Sequence, residues 1–447
     1  MNPRVRTNTI NLWAVTIAGA GIWWMLGMNL FFYHFAAIVM FLYVSSSMHH
    51  EEKGVLIPPT AILLVSIALV YFFSILLHLP DGDSNRVIAA LYNFSFWIMG
   101  AALVISLGNT FELSQTPRIY RALMVVGWVT GIAGVIALVA WKSGVQTIVF
   151  KTPLYWMTRF IGTTTLVESS LLVRPLLWDW FASLSRPRFN MFSPYPTAAG
   201  GIIMIIIMSA TVYASSQKKM KSLQTWCLIG LNLLALTLTL SRMSVFAFIA
   251  SMMAVYVLQK RNFPLWMMML LLLLLAAEPL IENLFNFFLG LREGSNNIRL
   301  ELYRHSIMQL DGVDWILGKG LKPRETYFTY PIGSHSTYVS LLYKSGLGGA
   351  GLFILFQTSL LIRWFMLKGH AYRNRQAFFV WKGTGLVFIS MAMWMVTEDI
   401  DAPQMLAFLY FSFVGIFEGL RKELLNEHLS HQLPAARRLQ VSGADAS

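Results

Sequence analysis

Apolar runs long enough to cross a bilayer dominate this chain. A membrane-spanning helix needs about 20 apolar residues, because lipid offers its backbone no hydrogen-bond partner and each segment must satisfy itself. Runs of this kind fall near 9–26, 28–46, 57–78, 87–108, 119–141, 196–214, 223–240, 243–259, 263–282, 336–366, 376–396 and 402–420. They predict an all-α integral membrane protein of about twelve spans, with one bundle over residues 1–420. Only 12% of the 447 residues are charged, against roughly 25% in a soluble domain. The 336–366 run is long enough to break between 346 and 351. Met-Asn-Pro-Arg-Val-Arg at the N-terminus leads into apolar sequence without a small-residue cleavage site, as a retained first helix would. Residues 421–447 are polar and small, and are expected to form a mostly disordered cytoplasmic tail.

Charge placement gives the orientation. The net charge of +13 is read as loop cations that set topology and meet anionic lipid or substrate, not as a nucleic-acid surface. Alternate short connections are basic: Arg4 and Arg6, Lys53, Arg118 and Arg121, Lys218, Lys219 and Lys221, Lys260 and Arg261, and Arg363 through Lys382. The connections between them hold little beyond Arg86. Both termini are therefore expected in the cytoplasm. Two long connections, about 142–195 and about 283–335, fall on the outer face. Leu154-Tyr-Trp-Met157 and Leu176-Leu-Trp-Asp-Trp180 in the first are expected to form short interfacial helices. The single cysteine, Cys227, excludes a disulfide framework and a cysteine metal site.

Four constellations carry chemistry. Ser241 and Arg242 lie between two apolar helices, on a tight turn at the outer face; Arg242 is a site arginine or one that snorkels to the interface. Arg299 precedes Leu300, Tyr303 and Ile307 at helical spacing, which places Arg299 and Tyr303 on one face and turns Arg304 elsewhere. Asn296 and Asn297 are placed to cap that helix and aim its positive end at an anion near Arg299; the alternative is a solvated surface helix. His335 follows a Gly-Ser turn at the mouth of a span, with Tyr338 expected on the same face. An unperturbed pKa of about 6.5 lets such a histidine move protons near neutrality, or it caps the loop. Glu398, Asp399 and Asp401 either serve a lipid carrier, a cation or a base or solvate a short turn, the solvated turn being the favoured reading; Glu278 is read as a costly intramembrane acid paired with a loop arginine. No His/Asp/Glu cluster at ligand spacing accompanies His335, so no metal and no cofactor is expected.

In this order, Ser241-Arg242, Arg299 with Tyr303, Gly318-Lys-Gly320, His335 with Tyr338, and Gly346-Leu-Gly-Gly349 resemble the O-antigen ligase and O-antigen polymerase superfamily over roughly residues 190–360. In that family the histidine is usually followed by asparagine; here Ser336 stands there. The resemblance implies a metal-independent glycosyltransferase with a GT-C-like fold at the outer face of the bacterial inner membrane. It would take a glycan from an undecaprenyl-diphosphate carrier and pass it to an acceptor sugar. Arg242 and Arg299 would hold the diphosphate and His335 would assist the acceptor hydroxyl. Ser241, Tyr303, Arg304, Arg324, Tyr338 and Lys344 are the candidate substrate contacts around them. Fixed guanidinium groups suit the task, since charge grows on the diphosphate as the glycosidic bond breaks and their fork matches phosphate.

The favoured reading is a polymerase extending lipid-linked polysaccharide, with a chain-length regulator or flippase as a candidate partner besides membrane lipids. A ligase delivering finished O-antigen to lipid A–core shares the donor half of the chemistry. A transporter would need repeat symmetry and ionisable groups in mid-bundle, and the sequence shows no repeat.

Overall fold

The computed structural model describes residues 2–52, 54–158, 171–178, 186–220, 222–260, 262, 293–323 and 331–432. The first half contains α1 (Pro3–Ala18), α2 (Ala20–Leu26), α3 (Phe32–His50), α4 (Pro59–Leu77), α5 (Ser84–Thr110) and α6 (Thr116–Lys142). A loop follows with β1 (Ile148–Lys151), α7 (Pro153–Thr158), β2 (Leu172–Trp178) and β3 (Pro187–Phe189). Then come α8 (Pro196–Ser216), α9 (Leu223–Leu238), α10 (Arg242–Leu258), α11 (Glu293–Met308), α12 (Asp314–Leu317), α13 (Thr337–Met366), α14 (Arg375–Trp394) and α15 (Gln404–Gln432).

Among the described residues six helices are long and apolar enough to cross a membrane: α4, α5, α6, α8, α13 and α14. The count is seven if α1 and α2, bent by 56° at Gly19, form one span. Helices α3, α9, α10 and α15 also lie where the apolar runs place them, while the 263–282 run and Glu278 lie outside the described residues. Across the bundle, α5 packs along α15 and α4 along α13. Where lipid surrounds a bundle, polar groups bond between helices. Trp364 and Trp381 follow that rule. Their rings stack at 4.7 Å, and each indole N–H donates to the other's backbone carbonyl at 2.8 Å.

Alternation of the helices sorts the connections into two ends. At one end the Asn2 N–H donates to Glu51, Arg375 to the Ser216 carbonyl and Lys368 to the Leu258 carbonyl. This is the basic end, and it carries Arg4, Arg6, Arg118, Arg121, Lys218 and Lys219. At the other, the loop end, Asn29 donates to the Phe192 carbonyl, Tyr92 to that of Leu30 and Ser74 to that of Gly318.

Three expectations are corrected. The 142–195 loop is not purely helical: Pro153–Thr158 is a helix, but residues 172–178 form the central strand of an antiparallel sheet ordered β1-β2-β3. Leu176 pairs with both Ile148 and Phe189. The neighbouring segments offer backbone partners to β2, and Pro175, which lacks an N–H for the ladder, sits opposite the register shift between Ile148 and Phe150, where a proline is tolerated in a sheet. Residues 421–432 continue α15, because Lys422 donates to the Asn109 carbonyl and the Leu113 N–H to Glu423. Finally, α11 already spans Glu293–Met308, so Asn296 and Asn297 lie within the helix and not at its N-cap position.

The long span breaks where expected. Gly346 in α13 has φ +60° and ψ −165°, and a β-carbon there would overlap the Ile316 carbonyl carbon. Opposite it, Gly318 ends α12 at φ +76°, where a β-carbon would overlap the Lys344 backbone. Lys319 and Gly320 then donate N–H bonds to the Tyr343 and Lys344 carbonyls at 2.7 and 3.0 Å. Only residues without a side chain allow this approach, which fixes the outer loop against the break.

Candidate active site

The site at the loop end is assembled around one short turn. Glu398, Asp399 and Asp401, between α14 and α15, are 3%, 7% and 2% exposed, so the solvated turn read from the sequence is a buried one. Each acid meets a cation brought from far along the chain. Glu398 Oε1 pairs with Arg299 Nη2 at 2.7 Å, Asp399 Oδ2 with Lys322 Nζ at 2.7 Å, and Asp401 Oδ2 with Lys344 Nζ. A buried carboxylate is tolerated only with such a partner.

Glu398 also organises the mouth of α13. Its carbonyl accepts from the Thr337 N–H at 3.0 Å and the Thr337 hydroxyl at 2.8 Å, and the Ile400 N–H donates to that hydroxyl at 3.0 Å. Ser336 caps α13 by accepting from the Val339 N–H. His335, just before the cap, has φ +67°, a left-handed conformation uncommon for any residue but glycine. Its carbonyl accepts a hydrogen bond from the Tyr303 hydroxyl, and Gly333 N–H is held by Ser306 of the same helix at 2.8 Å. Strain of this kind, held by surrounding contacts, is commonly found at functional positions.

Arg299 and Tyr303 therefore share a face of α11, as their spacing predicts: Arg299 reaches Glu398 and Tyr303 reaches the His335 carbonyl. Burial pushes the Tyr303 phenol above its ordinary range; the Arg299 charge opposes this, while Glu398 and Asp399 reinforce it. Tyr195, just ahead of α8, is raised by burial and then by Glu398, Asp399 and Asp401. Both phenols thus stay protonated at neutral pH.

Ser241 and Arg242 occupy the tight α9–α10 turn, with Leu240 at φ +52° and Ser241 Oγ 2.7 Å from Ser244 Oγ. The turn lies at the same end. The Thr197 carbonyl accepts from Ser244 Oγ at 3.5 Å and from Trp394 Nε1 at 3.2 Å, so the first turn of α8 stands between Arg242's turn and the end of α14.

The remaining predicted contacts divide. Tyr338 does not share a face with His335, because His335 precedes the helix in a left-handed conformation. Its hydroxyl donates to the Ala392 carbonyl at 3.2 Å. Lys344 is fully buried on Asp401 and 5.1 Å from the Tyr71 ring centroid, a pin for the acidic turn and not a group presented to substrate. Arg304 is exposed. Arg324 lies outside the described residues. Sequence reasoning missed Lys322 and Arg188. The latter, buried in β3, donates from Nε to the Thr239 carbonyl at 2.9 Å and so braces the turn before Arg242. No alternation marks it, because all three residues of β3 are buried. No group of three His, Cys, Asp or Glu side chains able to hold a metal ion occurs among the described residues.

Residues 227–354 match the family model described as O-antigen ligase. No curated protein matches the chain. The matched stretch runs from α9 into α13 and contains Ser241, Arg242, Arg299, Tyr303 and His335. Residues 227–354 thus carry an O-antigen ligase domain, which supports an assignment to the O-antigen ligase/polymerase superfamily, a family of membrane glycosyltransferases whose substrates are lipid-linked glycans and an acceptor.

Proposed function

We propose that the chain is a polysaccharide polymerase of the bacterial inner membrane, with about twelve spans, both termini in the cytoplasm and the loop end in the periplasm. It transfers a growing glycan from undecaprenyl diphosphate to an acceptor sugar. One observation carries the reading: Tyr303 holds the carbonyl of His335, while Arg299, one helical turn away, pairs with Glu398, whose own carbonyl holds Thr337 two residues after His335. Guanidinium and imidazole are the two functions that this transfer needs.

The acceptor hydroxyl oxygen bonds to the anomeric carbon as the bond from that carbon to the diphosphate oxygen breaks. His335 takes the hydroxyl proton, and the carrier departs as undecaprenyl diphosphate. Charge grows on the leaving diphosphate, where Arg299 and Arg242 oppose it in a low-dielectric setting. Glu398 sets the direction of the Arg299 side chain, and Tyr303 holds the His335 backbone. The guanidinium groups supply the positive charge, so the mechanism needs no metal.

Glycan analysis tests this. With Arg299→Ala or His335→Ala at normal membrane levels, glycan amount and chain length should collapse; unchanged glycans would end the assignment. A deletion strain accumulating single repeats, or lacking exported polymer, supports a polymerase. Full-length glycan stranded on the carrier would make the chain a ligase to lipid A–core instead.

A further inference from the structure

The basic end holds a second cleft that the glycosyl-transfer reading does not use. It is a cavity of about 230 Å³ between the start of α1 and the start of α6, lined by Pro3, Arg6, Thr7, Glu112, Arg118 and Arg121 among others. Its charges are unequal. Glu112 is occupied twice, by an ion pair with Arg6 and by accepting the Gln115 backbone N–H. Arg118 and Arg121 are exposed and have no acidic partner among the described residues. Three guanidinium groups face one committed carboxylate, which is a setting for an anion.

The anion's attachment is legible from the helix below. Steps of three or four residues lead from Arg118 and Arg121 to Val125, Val129, Ile132, Ile136 and Val139, which therefore share one face of α6. These five side chains are 41% to 62% exposed. A charged head and an apolar stripe thus run in continuous register down a helix of spanning length. A free phosphate would use only the first; an amphiphile would use both.

We infer that this cleft binds the phosphate headgroup of an anionic phospholipid, with an acyl chain laid along the exposed face of α6. The site is independent of the glycan chemistry at the loop end. It fastens α1 to α6 through Arg6 on one side and Arg118 and Arg121 on the other.

Native mass spectrometry of the full-length detergent-purified chain, titrated with phosphatidylglycerol and with phosphatidylcholine, reads this out. Each arginine near a lipid surface contributes enough for Arg118→Gln or Arg121→Gln to weaken phosphatidylglycerol binding about fivefold, and the double variant about thirtyfold. Phosphatidylcholine adducts should not change. Lys218→Gln with Lys219→Gln, at the same end but outside the cleft, should leave phosphatidylglycerol binding intact. Undiminished binding by the arginine variants would overturn the proposal. So would an equal loss in the lysine control, which would mean diffuse charge attraction. Displacement of the lipid by inorganic phosphate at comparable concentration would show a site for the anion alone. Unfolding midpoints in phosphatidylcholine establish that each variant is folded, and the single variants retain the test if the double one is not.

Discussion

The two ends of this bundle use opposite arrangements of charge. At the loop end one acidic turn is buried, and the cations reach inward to it from α11, from the loop after α12 and from α13. At the basic end most cations are exposed, and the ion pairs are separate ones, Glu112 with Arg6 and Glu418 with Arg363 and Arg421, while Glu51 and Glu423 accept from backbone N–H groups. A buried pair is unforgiving of single changes, because losing one partner strands the other charge. An exposed cation is adaptable and interacts with whatever approaches it. The first arrangement suits a site that must hold geometry during chemistry; the second suits a face that meets a fluid lipid surface.

Lys344 tests the contrast most severely. Its ammonium is fully enclosed and its partner Asp401 is 3% exposed at the side chain. Lys344→Ala should destabilise the protein by about 3–5 kcal/mol, since it leaves a buried carboxylate alone. Replacing both, Lys344→Met with Asp401→Leu, should recover most of that loss, as apolar replacement of a buried pair is often neutral. Thermal unfolding in one detergent measures both. A double variant as unstable as the single one would mean that the turn is held by something other than charge pairing.

Arg299 comes next, with its effect on rate. If it stabilises charge on the leaving diphosphate, Arg299→Ala should lower turnover about 10²–10³-fold. Arg299→Lys should recover little, because an ammonium lacks the planar fork. Glu398→Gln separates direction from charge: it keeps the shape and the Thr337 contacts while weakening the hold on Arg299. It should lower kcat more than it raises KM for the lipid-linked donor. An Arg299→Lys enzyme with full activity would reduce Arg299 to a structural partner of Glu398.

How much of this the sequence discloses depends on distance along the chain. Helix positions, the break at Gly346, the tight turn at Arg242 and the shared face of Arg299 and Tyr303 all follow from local periodicity, and all are found. The acidic turn is misread because its partners are remote: Arg299 lies 99 residues from Glu398, Lys322 77 from Asp399 and Lys344 57 from Asp401. Locally, Glu-Asp-Ile-Asp before a proline looks like any solvated connection. Residues 172–178 fail differently, since a short apolar run has no period that separates strand from helix, and only its neighbours decide. Tyr338 fails because i, i+3 geometry was extended to a residue outside the helix.

Tyr303 offers a smaller effect. Its phenol is raised by burial and stays a donor to the His335 carbonyl throughout the neutral range. Tyr303→Phe should cost about 1 kcal/mol of stability, the usual net value of one hydrogen bond, with no pH dependence between pH 6 and 8 (roughly the range where only histidine titrates). A pH-dependent difference from wild type in that window, measured by thermal unfolding, would show that Tyr303 is coupled to a titrating neighbour.

The smallest effect lies within one carboxylate at the basic end. Glu418 accepts from the Thr60 hydroxyl at 2.7 Å and pairs with Arg363 at 2.7 Å and with Arg421 at 3.7 Å. The Arg363 side chain is 15% exposed and that of Arg421 is 36%. If burial, not the count of ion pairs, distinguishes the two ends, these arginines should behave unequally although they share one acid. Arg421→Gln should change stability by no more than about 1 kcal/mol, as solvent-facing pairs do, and added salt should shrink even that. Arg363→Gln should cost more and respond less to salt, because a desolvated Glu418 would be left with Thr60 and a distant cation. Equal losses for both variants would mean that Glu418 is effectively solvated, and the basic end would then contain no counterpart of the buried turn.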